Sequence, residues 1–549
     1  MKTRWTEKVV LIAAIAVICS TAKAQIDGTP HDLSAVSGGN TCNFCHTPHG
    51  AVTGTPLWNH RLSEAVYNIY QSSSIEANIG QPTGSSKLCL SCHDGTVALT
   101  ETLTNTSSNG AYIAPGTANL GTDLSDDHPV SFFYSSSLPI EDVQIRSPLT
   151  LPEQIKLDQS DELQCTTCHN AHDNRYGDFL VVSNRQSGLC LYCHDLNEWM
   201  LSSHRNSTAL TSAADDTYLQ NSEYDTLVEN GCLNCHRPHS AGGHERLLHF
   251  AKSEDNCLNC HNGTVAQTNL KAELSKFSRH DVARYEGIHD LKESSTASPR
   301  HVECVDCHNP HAVQEAPAQA PVVPGVMQGV SGVTILGSPT QQVQYEYEVC
   351  FKCHGDNPNR IQSTITRQIT QTNTRLEFDP SGPSFHPVVS PGISQNVPSL
   401  ISPMTVATMI YCIDCHSSDD PSGVRGPHGS NNPYLLAYRY ETSDFTQESG
   451  FSYELCYHCH SRNSILNDES FTGHKDHLND QIPCSACHDP HGISSAQGTR
   501  IQNSHLINFD ISIVQADPAT GRLEYEQTGV FHGRCFLRCH NSTHSPREY

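Results

Sequence analysis

Apolar side chains are spread thinly along the chain, and few stretches have the regular spacing of a long helix or strand. The clearest alternation of apolar and polar positions runs from Ile507 to Ile513, which predicts a β-strand. The turn-forming residues 517–521 follow, and then a second run through Leu523 and Tyr525. The pattern therefore predicts one minor β-hairpin and little other regular structure. Residues 315–342, rich in Pro, Gly, Val and Ala, are typical of a linker or surface loop.

The N-terminus has the pattern of a secretory signal. Basic residues precede the apolar run from Val9 to Cys19, and the small residues of a cleavage site end at Ala24. Residues 1–24 are therefore predicted to be a signal peptide, with a mature chain beginning near Gln25. The bulky Ile18 argues against the alternative of a lipid-attachment cysteine at Cys19. No other apolar run approaches the ~20 residues of a membrane-spanning helix. A periplasmic, secreted or cell-surface location in a Gram-negative bacterium is expected.

Charge narrows the class of partner. The 549 residues include 33 Lys and Arg against 58 Asp and Glu, a formal charge of −25. Removal of residues 1–24, with four basic residues and one acidic residue, makes the mature charge −28. Such a charge argues against nucleic acid as a partner and favours a redox protein with a basic face or an extracellular acceptor. A homo-oligomer or filament stays open. Mean hydropathy is −0.45, so aliphatic side chains alone do not fill the interior.

Cysteine and histidine define the chemistry, with 25 Cys and 34 His in the chain. Beyond Cys19, the cysteines form eleven Cys-x-x-Cys-His motifs and one wider Cys-x3-Cys-His motif at the end of the chain. The cysteine pairs are Cys42 and Cys45, Cys89 and Cys92, Cys165 and Cys168, Cys190 and Cys193, Cys232 and Cys235, Cys257 and Cys260, Cys304 and Cys307, Cys350 and Cys353, Cys412 and Cys415, Cys456 and Cys459, Cys484 and Cys487, and Cys535 and Cys539.

This motif is the attachment signal of haem c. The two thiols add to the porphyrin vinyl groups, and the histidine that follows reaches the iron as the proximal ligand. Zinc ribbons and redox cysteine pairs are the alternatives, and neither requires a histidine directly after the second cysteine. The sequence therefore predicts about twelve haem c groups. Their proximal ligands would be His46, His93, His169, His194, His236, His261, His308, His354, His416, His460, His488 and His540.

The chain has one predicted haem for every ~44 residues, and a domain of about that length needs a metal or crosslink to fold. We therefore expect a mostly irregular, loop-rich multihaem cytochrome fold, with short helices at the motifs and haems forming the core. The motifs repeat in pairs, because the first member tends to have a second His three residues on. The predicted segments after the signal are haem pairs at 25–160, 161–229, 230–300, 301–410, 411–480 and 481–549.

The chain resembles the multihaem c-type cytochromes with a doubled Cys-x-x-Cys-His motif. The likeness is closest at both ends of the chain and rests mainly on the haem motifs in the middle. It is carried by residues 42–49, 56–60, 89–96, 127–130, 505–509 and the wide motif that continues to Pro546. The resemblance implies electron transfer in periplasmic or outer-surface respiratory chains of bacteria, and it leaves the substrate open.

Histidine is also the expected distal ligand, because 22 His remain after the proximal ones and only five Met occur. A His three residues after a proximal His lies on the same side of a helical turn, so it should bind the iron of a neighbouring haem. This rule selects His49, His172, His239, His311 and His491, with His428 as a sixth. Family likeness or position in the repeat adds His31, His60, His128, His204, His301, His386, His477 and His544. Weaker candidates are His244, His249, His280, His289, His474, His505 and His532.

Two functions are compatible with this pattern. In the first, closely spaced six-coordinate haems form an electron conduit, and the protein is a carrier without a catalytic residue. In the second, one haem keeps an open position and reduces a small oxyanion such as nitrite. The absence of a Cys-x-x-Cys-Lys motif and the surplus of histidines favour the conduit. The wide Cys535 motif is the first place to look for an exception.

Overall fold

The computed structural model describes residues 26–37, 41–52, 55–103, 110–196, 198–285, 301–356, 363–394 and 396–549, so the predicted signal peptide lies outside the described residues. The chain divides into two compact units. The first comprises Met1–Asn197, Leu210–Ser212 and Asn221–Lys252, and the second comprises Glu198–Ala209, Ala213–Gln220 and Ser253–Tyr549. The first unit contains five of the motifs and the second contains seven. The boundary at Lys252 falls inside segment 230–300, between the Cys232 and Cys257 motifs.

Helices are short, and most of the described chain lies in turns and loops, as predicted. Helices α1 to α16 are Ser34–Ser37, Thr41–Cys45, Gly84–His93, Leu138–Glu141, Cys165–Cys168, Ser203–Asn206, Thr217–Gln220, Leu227–Asn230, Ser253–Leu258, Leu270–Leu274, Cys304–Cys307, Glu346–His354, Thr374–Glu377, Glu454–Tyr457, Arg462–Leu466 and His474–Asn479. Single 3₁₀ turns are Pro148–Thr150, Arg185–Ser187, Cys190–Tyr192, Trp199–Leu201, Thr211–Ala213, Gly231–Asn234, Glu245–Leu247, Val282–Arg284, Gly325–Met327, Cys412–Asp414, Pro433–Leu435 and Cys484–Ala486. Among the described helices, none has the length and apolar character needed to cross a bilayer.

Strands are equally short except at the C-terminus. Strands β1 to β14 are Asn68–Ile69, Asp123–Leu124, Phe132–Phe133, Glu162–Leu163, Ser278–Arg279, Gly332–Val333, Pro339–Thr340, Ser384–Phe385, Gly429–Ser430, Gly492–Ile493, Val514–Gln515, Glu524–Gly529, His532–Cys539 and Ser542–Glu548. Strands β1 and β2 pair in parallel, and β3–β4, β5–β9, β6–β7 and β8–β10 pair antiparallel. Strand β13 is the centre of a four-stranded sheet with β11, β12 and β14.

The predicted hairpin is wrong in its first strand. Only Val514–Gln515 forms strand β11, and it pairs with β13 rather than with β12. The apolar alternation at 507–513 is misleading because the polar Asn508 and Asp510 are also buried, whereas Ile511 is exposed. Asn508 is 2% exposed and donates to Asp489, beside Phe509 at 1%. Two buried neighbours in sequence exclude the one-sided strand that the alternation predicted.

The apolar interior consists of small, separate clusters. In the first unit, Phe132, Tyr134, Leu138 and Leu163 form one cluster, and Tyr67, Leu90 and Leu124 form another. The largest cluster of the second unit lies under the C-terminal sheet and comprises Ile482, Ala486, Ile507, Phe509, Val514, Tyr525, Cys535, Leu537 and Cys539. Small clusters beside the Cys-His motifs are consistent with a multihaem fold, and the haem core itself stays a prediction.

Residues 315–342 are only in part the linker or surface loop that their composition suggested, since 315–319 and 336–339 are exposed but the middle of the segment is buried. Val323, Met327 and Val330 are buried and pack with Val343 and Val349. Pro and Gly are used here to fold a tight segment back onto the protein, and composition alone does not separate that use from a flexible connection.

Candidate functional site

All eleven strict motifs begin in an α-helix or a 3₁₀ turn, which places the paired cysteines side by side. Residues three apart on a helix have side chains about 5–6 Å from each other. The turn often stops at the histidine. His169 (φ −118°, ψ 140°) and His308 (φ −130°, ψ 128°) are extended and end helices that begin at Cys165 and Cys304. None of the 24 motif cysteines is in a disulfide, so their thiols are available for attachment.

The motif histidines are held by one recurring hydrogen bond. In nine of the twelve, Nδ1 lies 2.6–3.1 Å from an acceptor, and in seven of these the acceptor is a backbone carbonyl. A carbonyl cannot donate, so in these seven Nδ1 carries the proton and the lone pair is on Nε2. In metal-binding histidines, a hydrogen bond of this kind at the nitrogen that does not bind the metal fixes the orientation of the ring. The nine are His46, His93, His169, His236, His261, His308, His416, His460 and His488.

Burial keeps several of the motif imidazoles neutral. Burial, with the nearby His128 as a smaller cause, lowers the pKa of His194 to about 4, and burial likewise lowers the pKa of His261 to about 4. The pKa of His488 falls to about 3 for the same reason. A neutral imidazole is the form that binds a metal, so at neutral pH these side chains are in the ligating state.

A returning loop supplies the carbonyl in five of the first-member motifs. At Cys42, for example, Thr47 N donates to Leu57 O and Asn59 N donates to Cys45 O. These two bonds bring the Pro56 carbonyl 2.7 Å from His46 Nδ1. The carbonyls of Asp178, Arg246, Tyr434 and His505 occupy the same position in the Cys165, Cys232, Cys412 and Cys484 motifs.

Each returning loop contains residues in the left-handed region of backbone space. Leu57 has φ 58°, Phe179 has 56°, Leu247 has 52°, Leu435 has 58° and Leu506 has 62°. This conformation costs a non-glycine residue roughly 1–2 kcal/mol. Each of these residues begins a pair of consecutive apolar residues, and the sequence pattern singled out only the copies at 56–60 and 505–509. Because the spacing from the motif differs between copies, the other copies were missed.

Ten motif histidines face a second histidine across a constant gap. The ring centres are 5.9–6.5 Å apart in all ten pairs. The pairs are His93 and His31, His46 and His172, His194 and His128, His169 and His239, His261 and His204, His354 and His280, His308 and His428, His460 and His386, His416 and His491, and His488 and His474.

This gap fits a metal ion held between two imidazoles. A metal–nitrogen bond of about 2 Å on each side, plus about 1 Å from each nitrogen to its ring centre, gives a separation of about 6 Å. Rotation about the nitrogen–metal–nitrogen axis is free, so any angle between the ring planes is compatible. The observed angles run from 15° for His46 and His172 to 81° for His128 and His194. The described residues therefore fit six-coordinate haem iron.

Eight of the fourteen predicted distal candidates lie opposite a motif histidine. They are His31, His128, His172, His204, His239, His386, His428 and His491. His172, His239 and His491 each face the histidine of another motif rather than their own, which is the arrangement that the helical-turn rule predicts. Two residues ranked as weaker, His280 and His474, lie opposite His354 and His488. His289 lies outside the described residues.

The other six candidates are placed differently. His49 is exposed, and the buried His60 lies between Phe44 and Trp58. His301 stacks on Tyr285, and His311 contacts the edge of Trp199. His477 and His544 face one another. The ligand roles of these six histidines stay predictions.

Within each unit, consecutive motifs adjoin alternately through their first and their second cysteines. First cysteines are in hydrogen-bond contact between neighbouring motifs, and at the next junction one second cysteine lies close enough to the other to raise its pKa. Contacts between first cysteines are Cys89–Cys165, Cys190–Cys232, Cys257–Cys304, Cys350–Cys412 and Cys456–Cys484. Those between second cysteines are Cys45–Cys92, Cys168–Cys193, Cys307–Cys353, Cys415–Cys459 and Cys487–Cys539.

Polar side chains join the first-cysteine junctions. Cys165 N donates to Ser86 Oγ at 3.0 Å, and Cys232 N donates to Ser187 Oγ at 2.7 Å. At a third junction, Cys412 N donates to the Glu346 carboxylate at 3.2 Å. In each case, the side chain comes three or four residues before the first cysteine of the earlier motif. Within each unit, the motifs therefore follow one another in space in the order of the sequence.

The Cys535 motif differs in its geometry. Both cysteines lie on strand β13 instead of a helical turn. Four strand residues span about 13 Å. His540 also differs, because its Nε2 rather than its Nδ1 is hydrogen-bonded, at 2.9 and 3.1 Å from the Asp444 carboxylate.

Comparison with known families agrees with the motif arrangement. Residues 159–198, 226–266 and 403–464 match the family model described as the doubled CXXCH motif, and each region contains two consecutive motifs. The three matched regions are consistent with a multihaem c-type cytochrome with doubled CXXCH motifs. No curated protein matches the chain. The motifs indicate covalently bound haem c.

Proposed function

We propose that this protein is an electron conduit that carries about twelve haem c groups, mainly with two histidine ligands each. Haem iron supplies one-electron exchange between its ferric and ferrous states. The observation that carries the proposal is the alternation of cysteine contacts. It supports attachment points that adjoin from one motif to the next, through five motifs in the first unit and seven in the second.

The chain's own residues give each group its place. The cysteines of each motif anchor it, the following histidine binds one face of the iron, and a distant histidine binds the other face. Since the second ligand comes from another motif in pairs such as His46 and His172, each ligand pair also ties two parts of the chain together. The resulting rigidity keeps reorganisation small during electron exchange.

The paired histidines also argue against the alternative of a reductase. An open coordination position is required for an oxyanion to bind iron. Ten of the twelve motif histidines face a second histidine, which supports closed, six-coordinate sites. Two histidine ligands without methionine give low reduction potentials. A low potential suits a respiratory carrier that passes electrons outward through the periplasm or cell surface.

Outer-sphere oxidation distinguishes the two functions. The holoprotein, fully reduced with dithionite and freed of excess reductant, is mixed with ferricyanide in one experiment and with nitrite in another. We expect ferricyanide to oxidise all the haems rapidly, because electrons leave through any exposed haem edge. Nitrite should leave the absorption spectrum unchanged over the same period. Oxidation by nitrite, with release of nitric oxide or ammonium, would contradict the conduit.

A further inference from the structure

Two of the ten histidine pairs have a buried carboxylate behind the second imidazole. His239 Nδ1 lies 3.0 Å from Asp127 Oδ1, and His491 Nδ1 lies 3.3 Å from Glu377 Oε2. The carboxylate side chains are only 5% and 7% exposed. Because an ionised carboxylate can only accept a hydrogen bond, Nδ1 donates and Nε2 of each imidazole is left for a metal.

The two sites have the same geometry. His239 faces His169 and His491 faces His416, in each case with ring centres 6.1 Å apart. On the other side of each gap, the motif histidine has its Nδ1 at a neutral backbone carbonyl. Four other second histidines also have Nδ1 at a backbone carbonyl, namely His31, His128, His204 and His386. A charged acceptor therefore sets these two pairs apart from those four.

Backbone contacts hold Glu377 against His491. Glu377 is the last residue of helix α13, and His491 directly precedes strand β10. The next residue, Gly492, has no side chain, and a Cβ there would clash with the Glu377 carbonyl oxygen, so the two backbones meet closely at this point. Phe378 is 6% exposed, and its ring centre lies 5.4 Å from that of His491. Apolar cover of this kind keeps water away from the carboxylate and strengthens its electrostatic effect.

Asp127 is fixed in a comparable way in the first unit. Ser240 N donates to Asp127 Oδ1 at 3.2 Å, and His128 N donates to the Pro238 carbonyl at 2.8 Å. These bonds join the segment around Asp127 to the loop that contains His239. The carboxylate therefore has little freedom to turn away from the imidazole.

Both sites belong to the middle motif of their unit. Cys165 begins the third of five motifs in the first unit, and Cys412 begins the fourth of seven in the second. Consecutive motifs adjoin through their cysteines on both sides of these two. An electron that passes along the series from one end of a unit to the other therefore crosses the middle motif.

We propose that Asp127 and Glu377 are positioning residues that make the middle haem of each unit its low-potential step. A ferric haem with two neutral imidazoles has one net positive charge, which a buried carboxylate stabilises, whereas the ferrous haem is neutral. The hydrogen bond also makes the imidazole a stronger donor to ferric iron. Added electrons therefore fill the haems on either side first, and each unit consists of two groups of haems separated by an uphill step. This inference rests on the haem loading and histidine ligation of the proposed function.

Redox titration of the holoprotein, followed by absorbance, tests the proposal with Glu377→Gln. Gln has nearly the same size and can still accept from Nδ1, but it has no charge. In wild type we expect two components of one haem each below all the others. In the variant, one of these two should shift upward by at least about tenfold in its one-electron equilibrium, which is about 59 mV.

Two further variants serve as controls. Asp379→Asn removes a charge two residues away, where the side chain accepts from Ser381 N, and it should titrate as wild type. Glu377→Asp keeps the charge and should keep the low component. Electron paramagnetic resonance of the oxidised Glu377→Gln protein should show only low-spin iron at this site, because His491 stays bound.

Each other outcome overturns the proposal. An unchanged set of potentials in Glu377→Gln, a shift in a component that is not among the two lowest, or the same shift in Asp379→Asn would refute it. A new high-spin iron in Glu377→Gln would mean that the carboxylate only holds the ligand in place. If Glu377→Gln fails to accumulate, the wild-type titration decides, since the absence of two separate low components would refute the proposal. Failure of the conduit itself would be recognised separately, by oxidation with nitrite.

Discussion

A single carboxylate should set the reduction potential of one haem. His239, which faces His169 across 6.1 Å, has its Nδ1 3.0 Å from Asp127 Oδ1, and Asp127 is 4% exposed. Most other histidines of these pairs have a neutral carbonyl at this position. A carboxylate that accepts from Nδ1 makes the imidazole a stronger donor and favours ferric iron. Asp127→Asn should therefore raise the potential of the haem at Cys165 and Cys168.

The size of this change in reduction potential follows from the distance between the Asp127 carboxylate and the iron. A unit charge about 7 Å from the iron, at an effective dielectric constant of about 20, is worth about 2 kcal/mol. At 59 mV for each tenfold change in a one-electron equilibrium, this is on the order of 100 mV. The other potentials should move far less, because the remaining irons lie further from Asp127.

Spectroelectrochemical titration of the holoprotein measures this shift. Asp126→Asn is the matched control, since it removes the same charge one residue away without touching His239. The variant titration should show one component, about one-twelfth of the absorbance, displaced upward. A uniform small shift of all components, or the same shift in Asp126→Asn, would refute the reasoning.

Three further predictions concern stability and partner binding. Burial, with Glu254 nearby, raises the pKa of Glu303 from 4.5 to about 8. The folded state therefore holds a proton that the unfolded state loses, and the free energy of unfolding falls as pH rises through that range. In denaturant titrations, Glu303→Gln should abolish this fall and the exposed Glu141→Gln should not, so an unchanged fall in Glu303→Gln would contradict the assignment. Leu57 has φ 58°, a conformation that glycine adopts without strain and a β-branched residue does not. Leu57→Gly should therefore be more stable than Leu57→Ile by about 1 kcal/mol. Equal unfolding midpoints for the two variants would contradict this prediction. Electron exchange with a basic redox protein should slow as salt approaches 0.15 M, where the screening length is about 8 Å; stopped-flow rates that ignore ionic strength would reject charge-guided docking.

The attachment sites could be predicted from sequence because their chemistry is local. Two thiols and a histidine within five residues define the site, and a single helical turn is enough to arrange them. The class of fold followed from the same motifs, since a thin apolar content leaves little else to form an interior.

The second ligands were harder to predict because each pair joins distant parts of the chain. The rule that a His three residues on cannot reach its own iron pointed to His172, His239 and His491 for physical reasons, and all three lie opposite another motif. His280 and His474 have no such local signal. Their positions depend on how the loops fold, which spacing does not encode.

The C-terminal sheet shows a second limit of the sequence pattern. Leu523 and Tyr525 were correctly placed in or beside a strand, but the partner strand contains the cysteines rather than the alternating segment 507–513. The helical rule was applied to Cys535 by analogy with the strict motifs. Side-chain direction in a strand differs from that in a helix, so the ligand role of His540 stays a prediction.

The spin state of the iron tests the central claim most directly. Electron paramagnetic resonance of the fully oxidised wild-type holoprotein, with spin quantitation against haem content, is the measurement. If paired histidines close every site, all the iron is low-spin, and adding nitrite or cyanide changes nothing. A high-spin signal equivalent to one iron or more, converted by either anion, would show an open site and contradict the conduit.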